Sequence, residues 1–126
     1  MLVGIYGAGV FAGGIFVADP VDGFPPGTPA GPPQAVSWHG MLHFAFGGLG
    51  FLALIAACLV FARRYAGLGQ RGWAAYSAAT GVIFFATYAA TMTGSGQGWT
   101  MVALYVGVLL AWTWISAIAG RLMTRR

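Results

Sequence analysis

An all-α integral membrane bundle of four transmembrane helices is the fold that this sequence predicts, on three observations. Of its 126 residues, 59% are hydrophobic and only 6% are charged, whereas soluble domains carry about 25% charged residues. About 20 helical residues cross a hydrocarbon core of about 30 Å. Finally, all arginines fall on one side of the apolar stretches. These stretches form a single domain and lie near residues 2–18, 39–62, 72–93 and 99–120.

The first stretch is interpreted as a retained helix rather than a signal peptide. It has no basic beginning, and Phe16 stands at the −3 position of the one plausible cleavage site, after Ala18. Pro20 biases Asp19 away from helical geometry, so Asp19 is expected to end this helix.

All six prolines lie in the next segment, residues 19–37, and none lies inside an apolar stretch. The segment is therefore predicted to be a Pro/Gly-rich external loop of extended, polyproline-like character. Ser37 is expected to be the N-cap of helix two, because a serine hydroxyl there accepts a hydrogen bond from a first-turn amide.

The remaining connections are short. RRYAGLGQR, Arg63 to Arg71, is predicted to be a hairpin on one side of the membrane, and GSGQG, Gly94 to Gly98, a tight hairpin on the other. Aromatic belts mark membrane interfaces. We expect one belt at Trp38 and Trp99, and the opposite one at Tyr65 and Trp73.

The charges predict an orientation, because short loops rich in Lys/Arg stay in the cytoplasm. Both termini are then cytoplasmic, the Pro-rich loop is external, and the protein lies in the cell inner or plasma membrane. The net charge of +4 is assigned to topology and the lipid bilayer rather than to nucleic acid, because the basic residues are few and flank apolar runs. These residues are Arg63, Arg64, Arg71, Arg121, Arg125 and Arg126.

Small residues predict close helix packing. Gly9 with Gly13, and Gly107 with Ala111, have the small-xxx-small spacing of helix interfaces. Helix three also carries hydroxyls on one face, which indicate interhelical hydrogen bonds or, alternatively, the lining of a polar pathway. These hydroxyls belong to Ser77, Thr80, Thr87 and Thr91.

Two histidines and two carboxylates fall at the predicted external side. His39 and His43 are four residues apart, and so share a helix face, while Asp19 and Asp22 lie near the end of helix one. Two His with one or two Asp could bind Zn²⁺ or another divalent metal. Ser37, His43 and Asp19 are the candidate catalytic residues, with Ser37 or a metal-bound water as nucleophile. The alternative is that the histidines donate interhelical hydrogen bonds.

The run FVADP, a Gly/Pro-rich loop and then SWHGMLH resembles a bacterial multi-pass membrane family known as domain of unknown function 998. The resemblance spans most of the chain. It implies a shared Asp-Pro after one helix and a Ser-x-x-Gly-x-x-His start to the next. Members are typically longer by about two helices, so this chain is expected to correspond to their trailing part. The matching positions are Asp19, Pro20, Ser37, Gly40 and His43.

A fainter similarity is to alkaline-ceramidase-like membrane hydrolases, which use three His, Asp and Ser in a helical bundle to bind zinc. This chain supplies Ser37, two aspartates and two of the three histidines. That similarity implies an amide-cleaving activity for the same external cluster.

Three functions stay open on the sequence. The first is a structural or accessory bundle that packs with itself, as a homo-oligomer, or with a partner membrane subunit. The second is a metal-dependent membrane hydrolase or metal-binding protein at the external face. The third is a transporter component lined by the helix-three hydroxyls, disfavoured because no ionisable residue falls at mid-membrane.

Overall fold

The computed structural model describes residues 1–33, 35–93 and 97–124, and these residues fold into four helices without a strand. The all-α prediction is confirmed. Two helices, α2 and α4, are long and apolar enough to cross a membrane. The helices are α1 (Leu2–Ile15), α2 (Trp38–Gly67), α3 (Arg71–Thr93) and α4 (Gly98–Thr124).

Each helix packs antiparallel to the next one in sequence. Close approaches join Gly9 to Gly50 between α1 and α2, and Gly81 to Cys58 between α2 and α3, whereas a Cβ on Gly13 would make an ordinary van der Waals contact with Gly47. One end of the bundle, here the loop end, carries the Pro-rich loop. The other, here the arginine end, carries Arg63, Arg64, Arg71 and Arg121.

α1 ends earlier than the sequence predicted. It stops at Ile15 instead of residue 18, because Phe16 adopts an extended backbone. Fourteen residues span about 21 Å, so α1 is shorter than a hydrocarbon core. Asp19 consequently lies four residues beyond the helix instead of ending it.

The connection between α2 and α3 is also shorter than predicted. The helix continues through both Arg63 and Arg64, and only residues 68–70 link the two helices. Gly69 ends α2 with a positive φ of 70°. The Gln70 amide donates to the Tyr65 carbonyl and the Gly69 amide to the Ala66 carbonyl, as in a Schellman motif. At the other end of the chain, α4 runs four residues past its predicted end.

The Pro-rich loop is less extended than predicted. Val21 and Phe24 exchange two backbone hydrogen bonds of 2.9 Å, which close a tight turn. Asp22 and Gly23 fill its two central positions with φ of 51° and 81°. Asp-Gly is a favoured pair for a turn that needs two positive φ angles.

The packed core occupies the half of the bundle at the arginine end. Trp114, Cys58 and Leu54 are fully buried there, and Trp114 Nε1 donates a 2.9 Å hydrogen bond to Ser77 Oγ. Arg121 closes this end, because its guanidinium lies 4.5 Å from the centre of the Trp73 ring and donates to Gln70 Oε1.

The small-residue motifs pack inside the chain. A Cβ on Gly9 would lie 2.6 Å from the Phe46 carbonyl oxygen, and one on Gly107 would lie 2.5 Å from Thr87 Oγ1. Gly9 and Gly13 therefore face α2, and Gly107 faces α3. These glycines are used within one chain and are not exposed to a second one.

The hydroxyls of α3 divide into two groups. Ser77 and Thr91 bond to α4, Ser77 through Trp114 and Thr91 by donating to the Thr100 carbonyl at 3.0 Å. Thr80 and Thr87 donate to carbonyls of their own helix. The prediction of interhelical hydrogen bonds therefore holds for two of the four hydroxyls, Ser77 and Thr91. The external hairpin predicted at 94–98 lies outside the described residues except for Gln97 and Gly98.

Candidate functional site

Asp19 is joined to the N-terminus of α2. Its Oδ2 accepts a 2.8 Å hydrogen bond from the Ser37 amide, and Ser37 Oγ accepts one of 3.0 Å from the Gly40 amide. Ser37 is therefore the N-cap of α2, as predicted. Gly40 leaves the space for the carboxylate, because a Cβ there would collide with Asp19 Oδ2.

His43 makes the opposite connection, from α2 back to the end of α1. Its Nδ1 lies 2.8 Å from the Gly13 carbonyl oxygen and 2.9 Å from that of Phe16. Carbonyl oxygens only accept, so Nδ1 carries a proton and donates it to them. The Gly13 carbonyl belongs to the last turn of α1, where four carbonyls have no partner within the helix. His43 supplies the missing donor.

Asp19, Ser37, Gly40 and His43 together form what we call the helix clasp. The segment after α1 caps the start of α2, and a side chain of α2 caps the end of α1. Both caps are electrostatically favourable. The N-terminus of a helix stabilises a carboxylate, and the carbonyls at a helix C-terminus accept hydrogen bonds from a donor. Asp19 follows the C-terminus of α1, where a negative charge is unfavourable. Its carboxylate is stabilised because it reaches the N-terminus of α2 instead.

Electrostatics agrees with this geometry. The hydrogen bonds from Ser37 lower the pKa of the Asp19 carboxyl, and the nearby His39 adds a smaller effect in the same direction. Desolvation acts in the opposite direction and is smaller than the effect of the Ser37 hydrogen bonds. Asp19 is therefore held as a carboxylate across the neutral range.

The other two predicted ligands do not join the clasp. His39 is exposed and packs its ring against Trp38, with 3.6 Å between ring centroids. Asp22 is buried in the tight loop turn, and its carbonyl approaches Gly98 at the start of α4. Within the described residues no three His, Cys, Asp or Glu side chains form a group that could hold a metal ion. The metal site and the catalytic roles stay predictions.

Beside the clasp lies a cavity of about 690 Å³. All four helices border it with segments from the loop end, and the loop covers it through Val21, Phe24, Pro25 and Pro26. Phe51 packs on Phe84 at its deep side, with 5.0 Å between ring centroids. Its lining is mainly apolar, and the polar side chains that line it are Asp19, His43, Tyr88, Thr91 and Tyr105.

The cavity was not predicted from the sequence. Its walls come from four distant segments and from aromatic or methionine residues that, on any apolar helix, are equally suited to face lipid. One signal was present: Gly47 and Gly48 are consecutive in α2, and Gly13 and Gly14 in α1. One glycine of each pair, Gly14 or Gly47, borders open space, because a Cβ there would meet no atom within 4 Å.

The chain belongs to the family described as "Protein of unknown function (DUF998)", whose model matches residues 1–121. The resemblance stated from the sequence is thereby confirmed, and the helix clasp contains four of the five residues that carried it. No curated protein and no solved structure matches the chain.

Proposed function

We propose that this protein is an integral membrane bundle that crosses the membrane four times, with both termini in the cytoplasm and the loop end outside. The segregation of charge supports this orientation. The described arginines lie at one end of the bundle, and Asp19 and Asp22 lie at the other. α1 and α3 are then the two additional crossings, and both of them pack against α2.

Within that membrane frame we propose a structural or accessory role, in which the bundle packs with itself or with a partner membrane subunit. One observation carries this proposal: the polar side chains of the helix clasp are occupied in joining α1 to α2. Ser37 caps α2, Asp19 binds its amide, and His43 caps α1. In lipid an unsatisfied backbone group costs several kcal/mol, so a short helix such as α1 needs this support.

The orientation is tested by cysteine labelling in intact cells. Ala30→Cys in the loop and Leu68→Cys in the short connection are placed in a Cys58→Ala background, because Cys58 is the chain's one cysteine. A membrane-impermeant maleimide should label Ala30→Cys at once and Leu68→Cys only after permeabilisation. The reverse pattern would invert the topology, and labelling of both in intact cells would reject it.

The accessory role is tested against the hydrolase hypothesis by elemental analysis of detergent-purified protein. Wild type is measured beside a His39→Ala/His43→Ala double variant. We expect no stoichiometric metal in either protein, and a lower stability in the variant. About one metal per chain in wild type, lost in the variant, would replace the accessory role with a metal site.

A further inference from the structure

We infer that the cavity beside the helix clasp binds a neutral single-chain amphiphile with hydroxyl groups on its head, of the monoacylglycerol type. The inference rests on the proposed topology, which places the cavity in the outer leaflet. Four features of the structure carry the inference: the position, the side opening, the lining and the charges at the mouth.

The position is at membrane depth, immediately below the loop. The lining segments of α1, α2, α3 and α4 all belong to the loop end of their helices. On α4 the lining runs from Met101 to Val108, about 10 Å along the helix axis. A volume of about 690 Å³ is within the usual range of small-molecule sites, about 300–1,000 Å³.

The cavity opens sideways between α1 and α4. In the described part of the chain no Cα of α1 lies within 8 Å of a Cα of α4. A hydrogen bond of 2.6 Å from Trp112 Nε1 to the Tyr6 hydroxyl links the two helices, and both residues lie deeper than the cavity. The loop covers the top, where Phe24 packs edge-on against Tyr105 at 6.2 Å. A ligand therefore enters from the bilayer rather than from water.

The lining suits one hydrocarbon chain. Phe44, Phe51, Met92 and Leu104 contribute apolar walls, and methionine and aromatic side chains adapt to a flexible chain. The apolar walls away from the few polar side chains of the lining offer water too few hydrogen-bond partners. A lipid chain is the apolar molecule present there at high concentration.

The polar residues at the mouth of the cavity determine which head group a ligand can carry. The Asp19 carboxylate and His43 line the cavity, and because Nδ1 of His43 bonds to the α1 carbonyls, Nε2 is the ring nitrogen left for a ligand. The described arginines lie at the arginine end, and the chain has no lysine, so a phosphate or carboxylate head would meet an acid without an arginine or lysine beside it. The N-terminus of α2, which already balances Asp19, disfavours a cationic head. Hydroxyl donors remain as the matching chemistry.

Tyr88 adds a third polar group. Its ring packs against Phe51, with 5.4 Å between ring centroids. Its hydroxyl has no hydrogen-bond partner among the described residues. It lies close to Gly48, since a Cβ added to that glycine would be 2.9 Å from the hydroxyl oxygen. The glycine leaves this hydroxyl its place at the cavity wall.

The test is photolabelling in proteoliposomes with a monoacylglycerol that carries a diazirine in its chain. We expect saturable labelling of cavity residues such as Met92 and Met101, competed by unlabelled monoacylglycerol. A fatty acid probe of the same chain, ionised at the working pH, should label them about tenfold less. Labelling spread evenly over lipid-facing residues such as Leu109, without competition, would overturn the inference.

Gly47→Leu fills the cavity from α2, and Gly14→Leu fills it from α1 if the first variant fails to fold. Gly120→Leu is the matched control, since Gly120 is also helical, lies at the arginine end, and would likewise place a Cβ with no atom within 4 Å. Filling should reduce competed labelling to background, and the control should keep it. Equal labelling in a filled variant would refute the site.

Tyr88→Phe removes only the hydroxyl and keeps the ring. Loss of one hydrogen bond predicts about a two- to tenfold weaker affinity for the monoacylglycerol, with no change for the fatty acid probe. An equal loss for both probes would show that Tyr88 does not read the head. Because the cysteine labelling reports orientation separately, a negative photolabelling result with the expected topology would reject the cavity inference alone.

Discussion

The two halves of the bundle are built in different ways. At the arginine end, fully buried side chains such as Trp114, Cys58 and Leu54 fill the space between helices. At the loop end, the helices are held by hydrogen-bonded caps and close glycine contacts around a cavity of about 690 Å³. Caps can therefore fix helix ends without filling the space between them, which leaves room for a ligand.

The largest expected effect comes from the packed half. Trp114→Ala should lower the free energy of unfolding by about 3–5 kcal/mol, because it empties a fully buried site and leaves Ser77 without its donor. The measurement is a denaturing-detergent titration of protein in micelles. Trp99→Ala is the control, since Trp99 is exposed at the loop end. Equal losses in the two variants would contradict the difference between the halves.

The contact between α1 and α2 gives the next effect. Gly9→Ala would place a Cβ 2.6 Å from the Phe46 carbonyl oxygen, so the backbones must separate. We expect a loss of about 1–3 kcal/mol. Gly7→Ala on the same helix meets no atom within 4 Å and should be neutral or slightly stabilising, since alanine favours the helix. A Gly9→Ala protein as stable as Gly7→Ala would disprove the close approach.

The clasp should show a smaller effect. His43→Ala leaves two carbonyl oxygens of the α1 end without their donor, at a cost of about 1–2 kcal/mol. His39→Ala removes an exposed ring outside the clasp and should change the stability by less than about 0.5 kcal/mol. The same titration measures both variants. If the His39 variant were the less stable one, the assignment of His43 as the cap would be wrong.

The smallest effect concerns pH. The pKa of Asp19 lies below its ordinary value in the folded protein, so its contribution is complete above the unfolded value of about 3.9 and is lost as the pH falls through the folded value. Asp19→Asn should remove that part of the acid dependence. The measurement is the unfolding midpoint of wild type and of the Asp19→Asn variant at several pH values between about pH 6 and about pH 3. Identical acid slopes would show that Asp19 is not stabilised by the clasp.

The helical architecture was predicted well from the sequence. Burial in lipid or in a core affects the composition of whole segments, so each helix is visible as an apolar stretch. The four helices, the Ser37 cap and the placement of the arginines at one end needed no tertiary information. The end of α1 did not follow from the sequence. The donor that allows the helix to stop at Ile15 is His43, 28 residues further along the chain.

The same reason limits the prediction of the site. Asp19 and His43 were interpreted as polar residues on one side of the membrane, and the family that the sequence resembled was correct. That they cap each other's helices depends on the antiparallel register of α1 and α2. The cavity depends on which glycines touch a neighbour, as Gly9 does, and which face open space, as Gly47 does.

The most direct test of the difference between the halves is the stability of Gly47→Leu. We predict a free energy of unfolding equal to or above that of wild type, because the new side chain enters open space and leucine is a better helix former than glycine. If the loop end were packed as closely as the arginine end, the same substitution would destabilise the protein by about 1–3 kcal/mol. That result would contradict the open packing of the loop end.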